Sequence, residues 1–276
     1  MILRTLVAAL ALSASALTAS AADLELWRLD CGRIAVKDLS MFSDSFAYQG
    51  QSRLLTDSCY LIRHDETYML WDTGLPPTLL GAKLDPNAPI GASLDKTLPD
   101  QLAEIGVKPE AVSLVGISHD HFDHLGQAAS FPKARLIIGR KDFEQLKAGT
   151  PVFGVEPALA RPWTQGGGAV DPVDGDKDVF GDGSVVVLAT PGHTAGAQAL
   201  LVRLARKGAV LLSGDTVHFE EQYANRGVPP FNADRAESLA SMERLQAIAN
   251  TLKATLVVQH DAGDIAKLPT FPASAK

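Results

Sequence analysis

The chain has 276 residues, of which 46% are hydrophobic and 21% charged, and its formal net charge is −7. This length is typical of one α/β domain of about 250 residues, which buries a large core without depending on disulfides. The acidic balance, without any basic stripe, argues against nucleic acid as a partner.

The first residues predict a leader that is not part of the fold. Arg4 provides a positive start, residues 6–17 form a short run of mainly Ala, Leu and Val, and Ala19-Ser20-Ala21 provides small residues for cleavage. These features are typical of a secretory signal peptide, and the run is too short for a membrane span of ~20 residues. We therefore expect a signal peptide at 1–21, a single domain at 22–276, and a periplasmic or secreted mature protein with no membrane attachment.

Export also permits a disulfide between the only two cysteines, Cys31 and Cys59. A bridge requires close approach of the two Cα atoms, which spacing along the chain does not reveal. Two buried thiols are the simpler interpretation.

Apolar runs rich in Leu and β-branched residues predict a series of strands. Most lack a clean alternation of apolar and polar residues, which favours burial on both faces. The second and third strands are joined by a polar hairpin turn, in which we expect His64 to be a solvated surface residue. The predicted strands are 24–29, 59–63, 68–72, 112–117, 135–138, 185–188, 210–212 and 256–258.

Helices are predicted between the strands. The clearest covers 234–252, because Asp234 and Glu237 form a capping-box pattern at its start. Its apolar residues recur at spacings of three and four, which places them on one buried face: Leu239, Met242, Leu245, Ile248 and Leu252. Shorter helices are predicted at 97–105 and 141–147. The alternation of strands and helices predicts a layered α/β fold with sheets between helices.

The acidic, Gly-rich segment 171–183 has some features of a calcium-binding loop. Counting from Asp174, the sixth position is Val179, where such a loop requires Gly, and the twelfth is Val185, where it requires Glu. We therefore interpret the segment as a turn that leads into the next strand.

The strongest functional signal is Ser118-His119-Asp120-His121-Phe122-Asp123-His124, directly after a predicted strand. Imidazole and carboxylate groups are good zinc ligands. In an extended loop His119 and His121 point to the same side, whereas Asp123 and His124, beyond the turn, can face a second point. The segment therefore predicts two neighbouring metal positions at the end of a strand.

Three further ligand candidates occur in the same local context. His193, Asp215 and His260 each follow an apolar strand. The ends of strands are where α/β proteins place their sites. The repeated pattern indicates that all of these residues belong to one metal centre.

The motif His119-x-His121-x-Asp123-His124, followed by His193, Asp215 and His260, resembles the metallo-β-lactamase superfamily. Trp71-Asp72-Thr73-Gly74 adds to the resemblance, which extends over residues 24–271. It implies a four-layer αβ/βα sandwich with the metals at one edge. It also implies two Zn²⁺ ions per chain, with other divalent metals as alternatives. One zinc would be held by His119, His121 and His193, the other by Asp123, His124 and His260, and Asp215 would bridge them.

Within the superfamily, three further segments are similar to the N-acyl homoserine lactonases. They are Cys59-Tyr60-Leu61, Gly227-Val228-Pro229-Pro230-Phe231 and Ser241-x-x-Arg244-Leu245. This resemblance implies a small-molecule substrate, a lactone whose ring is opened by hydrolysis.

The same resemblance suggests roles for individual side chains around the metals. Asp123 would also pass a proton to the leaving group, Asp72 would orient a ligand histidine, and Phe122 would line the pocket. Lactonases carry a tyrosine three residues after the bridging aspartate, whereas this chain has His218. That histidine could donate a hydrogen bond to the substrate in its place, or be a surface or supporting residue.

Other functions of this ligand set remain alternatives. A β-lactamase would fit export, although lactamases with this motif generally lack the bridging Asp215. A glyoxalase II-like thioesterase would share all the ligands, but that family continues into a helical domain and only sixteen residues follow His260 here. A metal-binding protein without turnover is the third alternative. No oligomeric state is predicted.

Overall fold

The computed structural model describes residues 22–85 and 88–276, so the predicted signal peptide lies outside the described residues. Two sheets form its centre. The first contains seven strands in the order β4-β1-β2-β3-β5-β6-β7, and the second contains five in the order β12-β11-β10-β9-β8. Among the described residues no helix is long and apolar enough to cross a membrane.

The first sheet combines an antiparallel half and a parallel half. Strand β1 pairs with β4 and β2, and β2 pairs with β3, all antiparallel. Strands β3, β5, β6 and β7 are mutually parallel. The strands are β1 (Leu24–Val36), β2 (Arg53–His64), β3 (Thr67–Trp71), β4 (Ile90–Ser93), β5 (Val112–Gly116), β6 (Arg135–Gly139) and β7 (Val170–Val173).

The second sheet is antiparallel except for its last pair, β11 and β12, which run parallel. Its strands are β8 (Lys177–Asp178), β9 (Val185–Ala189), β10 (Gln198–Leu204), β11 (Gly208–Leu212) and β12 (Thr255–Val257). All eight predicted strands are present, although β1 extends well beyond its predicted end at residue 29 and β2 begins well before its predicted start at residue 59. Strands β4, β7, β8 and β10 are additional.

Seven α-helices pack around the two sheets among the described residues. They are α1 (Leu98–Glu104), α2 (Phe122–Leu125), α3 (Arg140–Ala148), α4 (Arg161–Thr164), α5 (Glu221–Asn225), α6 (Arg235–Leu252) and α7 (Ala262–Ile265). Leu98 and Leu102 of α1 pack with Leu61 and Leu70 of the first sheet. Leu245 of α6 packs on the outside of the second sheet. Because the two sheets bury a shared apolar core between them, the predicted four-layer α/β sandwich is confirmed.

Helix α6 begins and ends as its sequence predicts. The Asp234 side chain accepts a hydrogen bond from the backbone N–H of Glu237 and so caps the first turn. Ile248 and Leu252 continue the apolar stripe onto the second sheet. The helix ends at Lys253, whose φ of 51° lies in the left-handed region.

The carboxylates of the acidic segment that precedes β9 form ion pairs and stabilise a turn. The carboxylate of Asp174 lies 2.6 Å from Arg140, that of Asp171 lies 3.1 Å from Lys177, and Asp178 accepts backbone N–H groups of the following turn. These carboxylates already have partners within the chain, which agrees with the rejection of a calcium loop.

The prediction that His64 is solvated is wrong. Its ring stacks on Phe180 at 4.1 Å, and Nε2 lies 2.8 Å from a carboxylate oxygen of Asp182. The hairpin turn therefore packs against the turn before β9, a contact between distant parts of the chain.

The preference for two free thiols is also wrong. Cys31 and Cys59 form a disulfide between β1 and β2, with their Cα atoms 5.8 Å apart. The pairing register of the two strands shifts between Asp30 and Gly32. The bulge is therefore located at Cys31, and its presence could not be predicted from the local sequence.

Candidate metal centre

The predicted ligands converge at one edge of the sandwich because the strands that precede them end there. The loop after β5 carries His119 and His121, and the short helix α2 carries Asp123 and His124. The remaining three follow β9, β11 and β12, respectively: His193, Asp215 and His260. The structure thus brings together all seven side chains, in overlapping groups whose ligand atoms lie within 4.8 Å of one another.

Three histidines form the first cluster. Nε2 of His193 lies 3.1 Å from Nε2 of His119 and 3.1 Å from Nδ1 of His121. Oδ2 of Asp215 lies 3.6 Å from the His193 nitrogen and 3.9 Å from the His119 nitrogen. These separations suit four atoms arranged around one cation, since zinc binds nitrogen and oxygen at ~2.0–2.2 Å.

The second cluster combines histidines and carboxylates. Oδ1 of Asp215 lies 3.3 Å from Nε2 of His124 and 3.2 Å from Nε2 of His260. Oδ2 of Asp123 lies 3.9 Å and 3.8 Å from the same two nitrogens. The two oxygens of Asp215 therefore face different clusters, as a bridging carboxylate requires.

The outward nitrogens of several ligand rings have acceptors. Nδ1 of His193 lies 3.0 Å from Oδ1 of Asn232, and Nδ1 of His260 lies 2.7 Å from the carbonyl oxygen of Thr56. Because those nitrogens then carry the proton, the inward nitrogens present lone pairs. Neither Asn232 nor Thr56 was predicted, since both are distant from their partners in sequence.

Asp72 supports His124 in the same way, as the sequence predicts. Its Oδ2 lies 3.0 Å from Nδ1 of His124, and the side chain is fully buried. The hydroxyl of Ser118 lies within 3.1 Å of Nδ1 of both His119 and His124. Asp72 therefore supports a ligand of the second cluster, and Ser118 contacts one ligand of each cluster.

The electrostatics of the first cluster fit a bound cation. Burial lowers the pKa of His121 to about 4. Burial, followed by the neighbouring His121 ring, also holds the pKa of His193 well below its usual value. Three neutral rings thus direct lone pairs toward one another, an arrangement that a metal ion stabilises.

The second cluster attracts positive charge. Burial acts to lower the pKa of His260, but the Asp215 and Asp123 carboxylates together outweigh it and raise that pKa to about 9. The same opposition of burial and carboxylates, with Asp215 and Asp72 foremost, raises the pKa of His124 well above its usual value. Nε2 of His124 and Oδ1 of Asp215 are buried without a well-formed hydrogen bond among the described residues. The donor set therefore fits metal cations in both clusters.

An apolar pocket opens onto this centre. The metal-side lining of this pocket consists of Asp123, Asp215 and three of the ligand histidines, His121, His193 and His260. Phe122 lines the pocket, as the sequence predicts. The other apolar lining residues are Ile34, Val36, Met41, Phe42, Leu55, Ile90, Phe153 and Phe231. The pocket is thus suited to a substrate with a reactive polar end and an apolar tail.

The loop that contains Phe153 and Gly154 connects the lining of the pocket to the metal-ligand candidate His121. The backbone N–H of Phe122 donates to the carbonyl oxygen of Gly154 at 2.8 Å. A Cβ on Gly154 would lie 2.8 Å from the His121 ring, and its φ is +78°, so glycine is required there. This close approach places the neighbouring Phe153 at the mouth of the pocket.

A family model described as the metallo-beta-lactamase superfamily matches residues 53–260. The chain belongs to this superfamily. Among curated relatives, the N-acyl homoserine lactonase AttM of Rhizobium radiobacter is 31% identical over 196 residues, which cover 64% of this chain and 70% of the relative. AttM of Agrobacterium fabrum is 29% identical over 240 residues, 77% of this chain and 85% of the relative. These relatives place the chain among the hydrolases, as the sequence predicts.

Solved structures of the superfamily agree with the fold. An N-acyl homoserine lactone hydrolase with the product N-hexanoyl-L-homoserine at its catalytic metal center gives a TM-score of 0.76 at 25% identity, covering 91% of this chain and 98% of that chain. The dizinc quorum-quenching lactonase AidC gives a TM-score of 0.66 at 18% identity, covering 93% and 91%.

His218 lies beside Asp215, the residue in the bridging position. Its side chain is buried, and Nε2 lies 3.1 Å from Oδ2 of Asp215. The residue also lines the pocket. It is therefore a member of the site, and the alternative of a surface histidine is excluded.

Asp142 is a supporting residue of this metallo-β-lactamase fold that the sequence did not reveal. Its carboxylate accepts the Thr194 hydroxyl and the backbone N–H of Gly196, both at 2.6 Å, and so anchors the loop that carries His193. Burial outweighs these hydrogen bonds and raises the pKa of Asp142 to about 6. A carboxylate at the start of a predicted helix is usually a solvated residue, so no local signal indicated this role.

Proposed function

We propose that the chain is a dinuclear zinc hydrolase that opens the ring of a lactone carrying an N-acyl chain. The observation that carries the proposal is the position of the apolar pocket, which opens directly onto two adjoining ligand clusters that share Asp215. The similarity to lactonases over most of their length supports the same substrate class.

The seven ligands would hold two ions with Asp215 between them. His119, His121 and His193 would bind one, and Asp123, His124 and His260 the other. Two zinc ions held in this way would supply an activated water molecule and stabilise negative charge on the carbonyl and leaving oxygens. Zinc is preferred because imidazole and carboxylate donors suit it, although other divalent metals bind such sites as well.

The chain itself would orient the substrate and move the proton. The aromatic and aliphatic lining of the pocket would hold the acyl chain and exclude water around the ester group. The carboxylate of Asp123 lies at the junction of pocket and ligands and retains a small exposed fraction of 13%. It would take the proton released by the attacking water and return it to the ring oxygen as the C–O bond breaks.

A substrate panel tests the proposal. The zinc-loaded enzyme would be assayed with a medium-chain N-acyl homoserine lactone, a cephalosporin and a thioester, and the metal content of the same sample would be measured. We expect two equivalents of metal and a kcat/KM for the lactone at least about tenfold above the others, or about 1.4 kcal/mol in transition-state stabilisation. A tenfold preference for the cephalosporin or the thioester would overturn the lactonase assignment, and a stoichiometry limited to one would overturn the paired site.

We also propose that residues 1–21 are a signal peptide and that residues 22–276 act as one hydrolase domain in the periplasm or outside the cell. The disulfide between Cys31 and Cys59 supports an oxidising compartment. Intact mass of the protein recovered from the periplasm should start at residue 22 or 23. Recovery of a soluble protein that still begins at Met1 would contradict export by cleavage.

A further inference from the structure

The ring of His218 is fixed on several sides. Its backbone N–H donates to Oε1 of Gln222 at 2.6 Å. The ring packs edge-on against Phe42, with centroids 4.7 Å apart, and lies parallel to the His260 ring at 5.9 Å. The side chain is 5% exposed. Because the ring is held in one orientation, the neighbours of each ring nitrogen are fixed.

The two nitrogens of this ring differ in their partners. Nε2 lies 3.1 Å from Oδ2 of Asp215. Nδ1 is buried and has no hydrogen-bond partner among the described residues. The Asp215 carboxylate is therefore the acceptor that the ring can reach.

This pattern separates His218 from three of the ligand histidines. Outward nitrogens of His124, His193 and His260 face an acceptor, which fixes the proton outside and the lone pair inside. If His218 bound a metal through Nε2, its proton would lie on Nδ1 as a buried N–H without an acceptor, which is unfavourable. A proton on Nε2 avoids that cost and forms a charge-assisted hydrogen bond to Asp215.

We infer that His218 is a positioning residue that donates its Nε2–H to Oδ2 of Asp215 and holds the bridging carboxylate in register with both clusters. The inference rests on the proposed function in that Asp215 spans two metals. The hydrogen bond occupies one lone pair of Oδ2 and leaves the other for the three-histidine cluster, while Oδ1 faces His124 and His260. Without the donor the carboxylate can rotate, and we expect the pair of metals to be held less tightly.

Metal affinity tests the role of the donor. In His218→Leu the ring and donor are lost, whereas in His218→Gln the amide Nε2 lies as many bonds from Cα as the imidazole Nε2 and can still donate. Competition with a chelating dye should show the more weakly held zinc bound about 10-fold less tightly or worse in the Leu variant, as for other residues that support metal ligands. The Gln variant should stay within about threefold of the unmodified enzyme, since the donor is restored. His64→Leu is the matched control, because it removes a histidine outside both clusters.

Two outcomes of that titration would overturn the inference. The first is unchanged affinity for both metals in His218→Leu. The second is equal loss in the Leu and Gln variants, which would indicate that the imidazole itself binds metal. The absorption spectrum of the cobalt-loaded enzyme provides an independent check, since loss of a ligand changes its intensity and a shift of the Asp215 carboxylate changes it less.

Nitrogen NMR of the zinc-loaded enzyme with ¹⁵N-labelled histidine tests the proton position directly. The His218 signals, assigned by their absence from His218→Leu, should show a protonated Nε2 and a free, unprotonated Nδ1. Coupling of His218 Nε2 to ¹¹³Cd in the cadmium-loaded enzyme would overturn the inference. Neither readout depends on turnover of a lactone, so failure of the proposed substrate class and failure of this inference are distinguishable.

Discussion

Oδ2 of Asp72 lies 3.0 Å from Nδ1 of His124, and Oδ1 of the same carboxylate accepts the backbone N–H of Ser118 at 2.6 Å. One buried side chain thus fixes the ring of a ligand and the start of the loop that carries His119 and His121. Asp72 has a φ of 57°, in the left-handed region that asparagine also tolerates. The position therefore allows a conservative test.

Asp72→Asn should weaken metal binding by about 10–100-fold, the usual effect of losing a residue that supports a ligand. The amide provides one acceptor for two donors, so either His124 or Ser118 loses its partner. Competition with a chelating dye would measure the change. Asp65→Asn is the matched control, since Asp65 also has a positive φ, of 52°, but lies in the hairpin turn. Equal affinities of the two variants would contradict the role of Asp72.

Asp142→Asn should lower the free energy of unfolding by about 1–3 kcal/mol, because a buried donor of the His193 loop loses its acceptor. Thr194 and Gly196 are the two donors concerned. Denaturant titration of the metal-free protein would measure the loss without a contribution from metal. Glu144→Gln, an exposed residue on the same helix, should change stability by less than about 0.5 kcal/mol. An equally large loss of unfolding free energy in Glu144→Gln would indicate that the effect arises from helix α3 and not from the His193 loop.

Phe153→Ala should raise KM for a long-chain N-acyl lactone by about tenfold and leave kcat nearly unchanged, because burying a phenylalanine against an apolar chain contributes about 1.5–3 kcal/mol. Phe153 is 59% exposed at the mouth of the pocket, so a bound chain has surface to cover. Val152→Ala is the control, since the neighbouring Val152 is 48% exposed and does not line the pocket. A KM that rises equally for short-chain and long-chain substrates would argue against this contact.

Replacing both Cys31 and Cys59 with alanine should lower the free energy of unfolding by roughly 3 kcal/mol, the usual effect of opening a loop of this size. The two residues are 28 apart in sequence. Denaturant titrations of the oxidised protein and the double variant would give the difference. Thiol alkylation of the unfolded, unreduced protein should fail, and rapid labelling of both cysteines would contradict the bridge.

Glu25→Gln should reduce stability in a manner that depends on pH. Burial acts to raise the pKa of Glu25, but hydrogen bonds from Ser274, Lys276 and Arg63 outweigh it and lower the pKa from 4.5 to about 2. Because the folded state holds the ionised form, the stabilisation is present above pH 4.5 and is lost as the pH falls toward 2.

Denaturant titrations of the metal-free wild type and Glu25→Gln across that range would measure the difference in free energy of unfolding. The difference should be largest above pH 4.5 and disappear near pH 2. A difference that persists unchanged at low pH would indicate that packing, and not charge, explains the effect of the substitution.

The sequence by itself determined the elements that depend on local pattern. The boundaries of α6 follow from its capping residue Asp234 and from the helical apolar stripe, both of which are local features of the sequence. The ligands could be recognised for a similar reason. Each follows an apolar strand, and strand ends gather at one edge of a layered α/β fold.

Tertiary structure alone decided the contacts that join distant segments. Asn232 meets His193 across 39 residues, and Thr56 meets His260 across 204. The disulfide depends on a bulge at Cys31, and the packing of His64 depends on a turn more than a hundred residues away. His218 is the sharpest case, because its role depends on which nitrogen faces a partner. Nε2 lies beside Asp215, whereas Nδ1 is buried without a hydrogen-bond partner among the described residues, and neither relationship is visible in a local pattern.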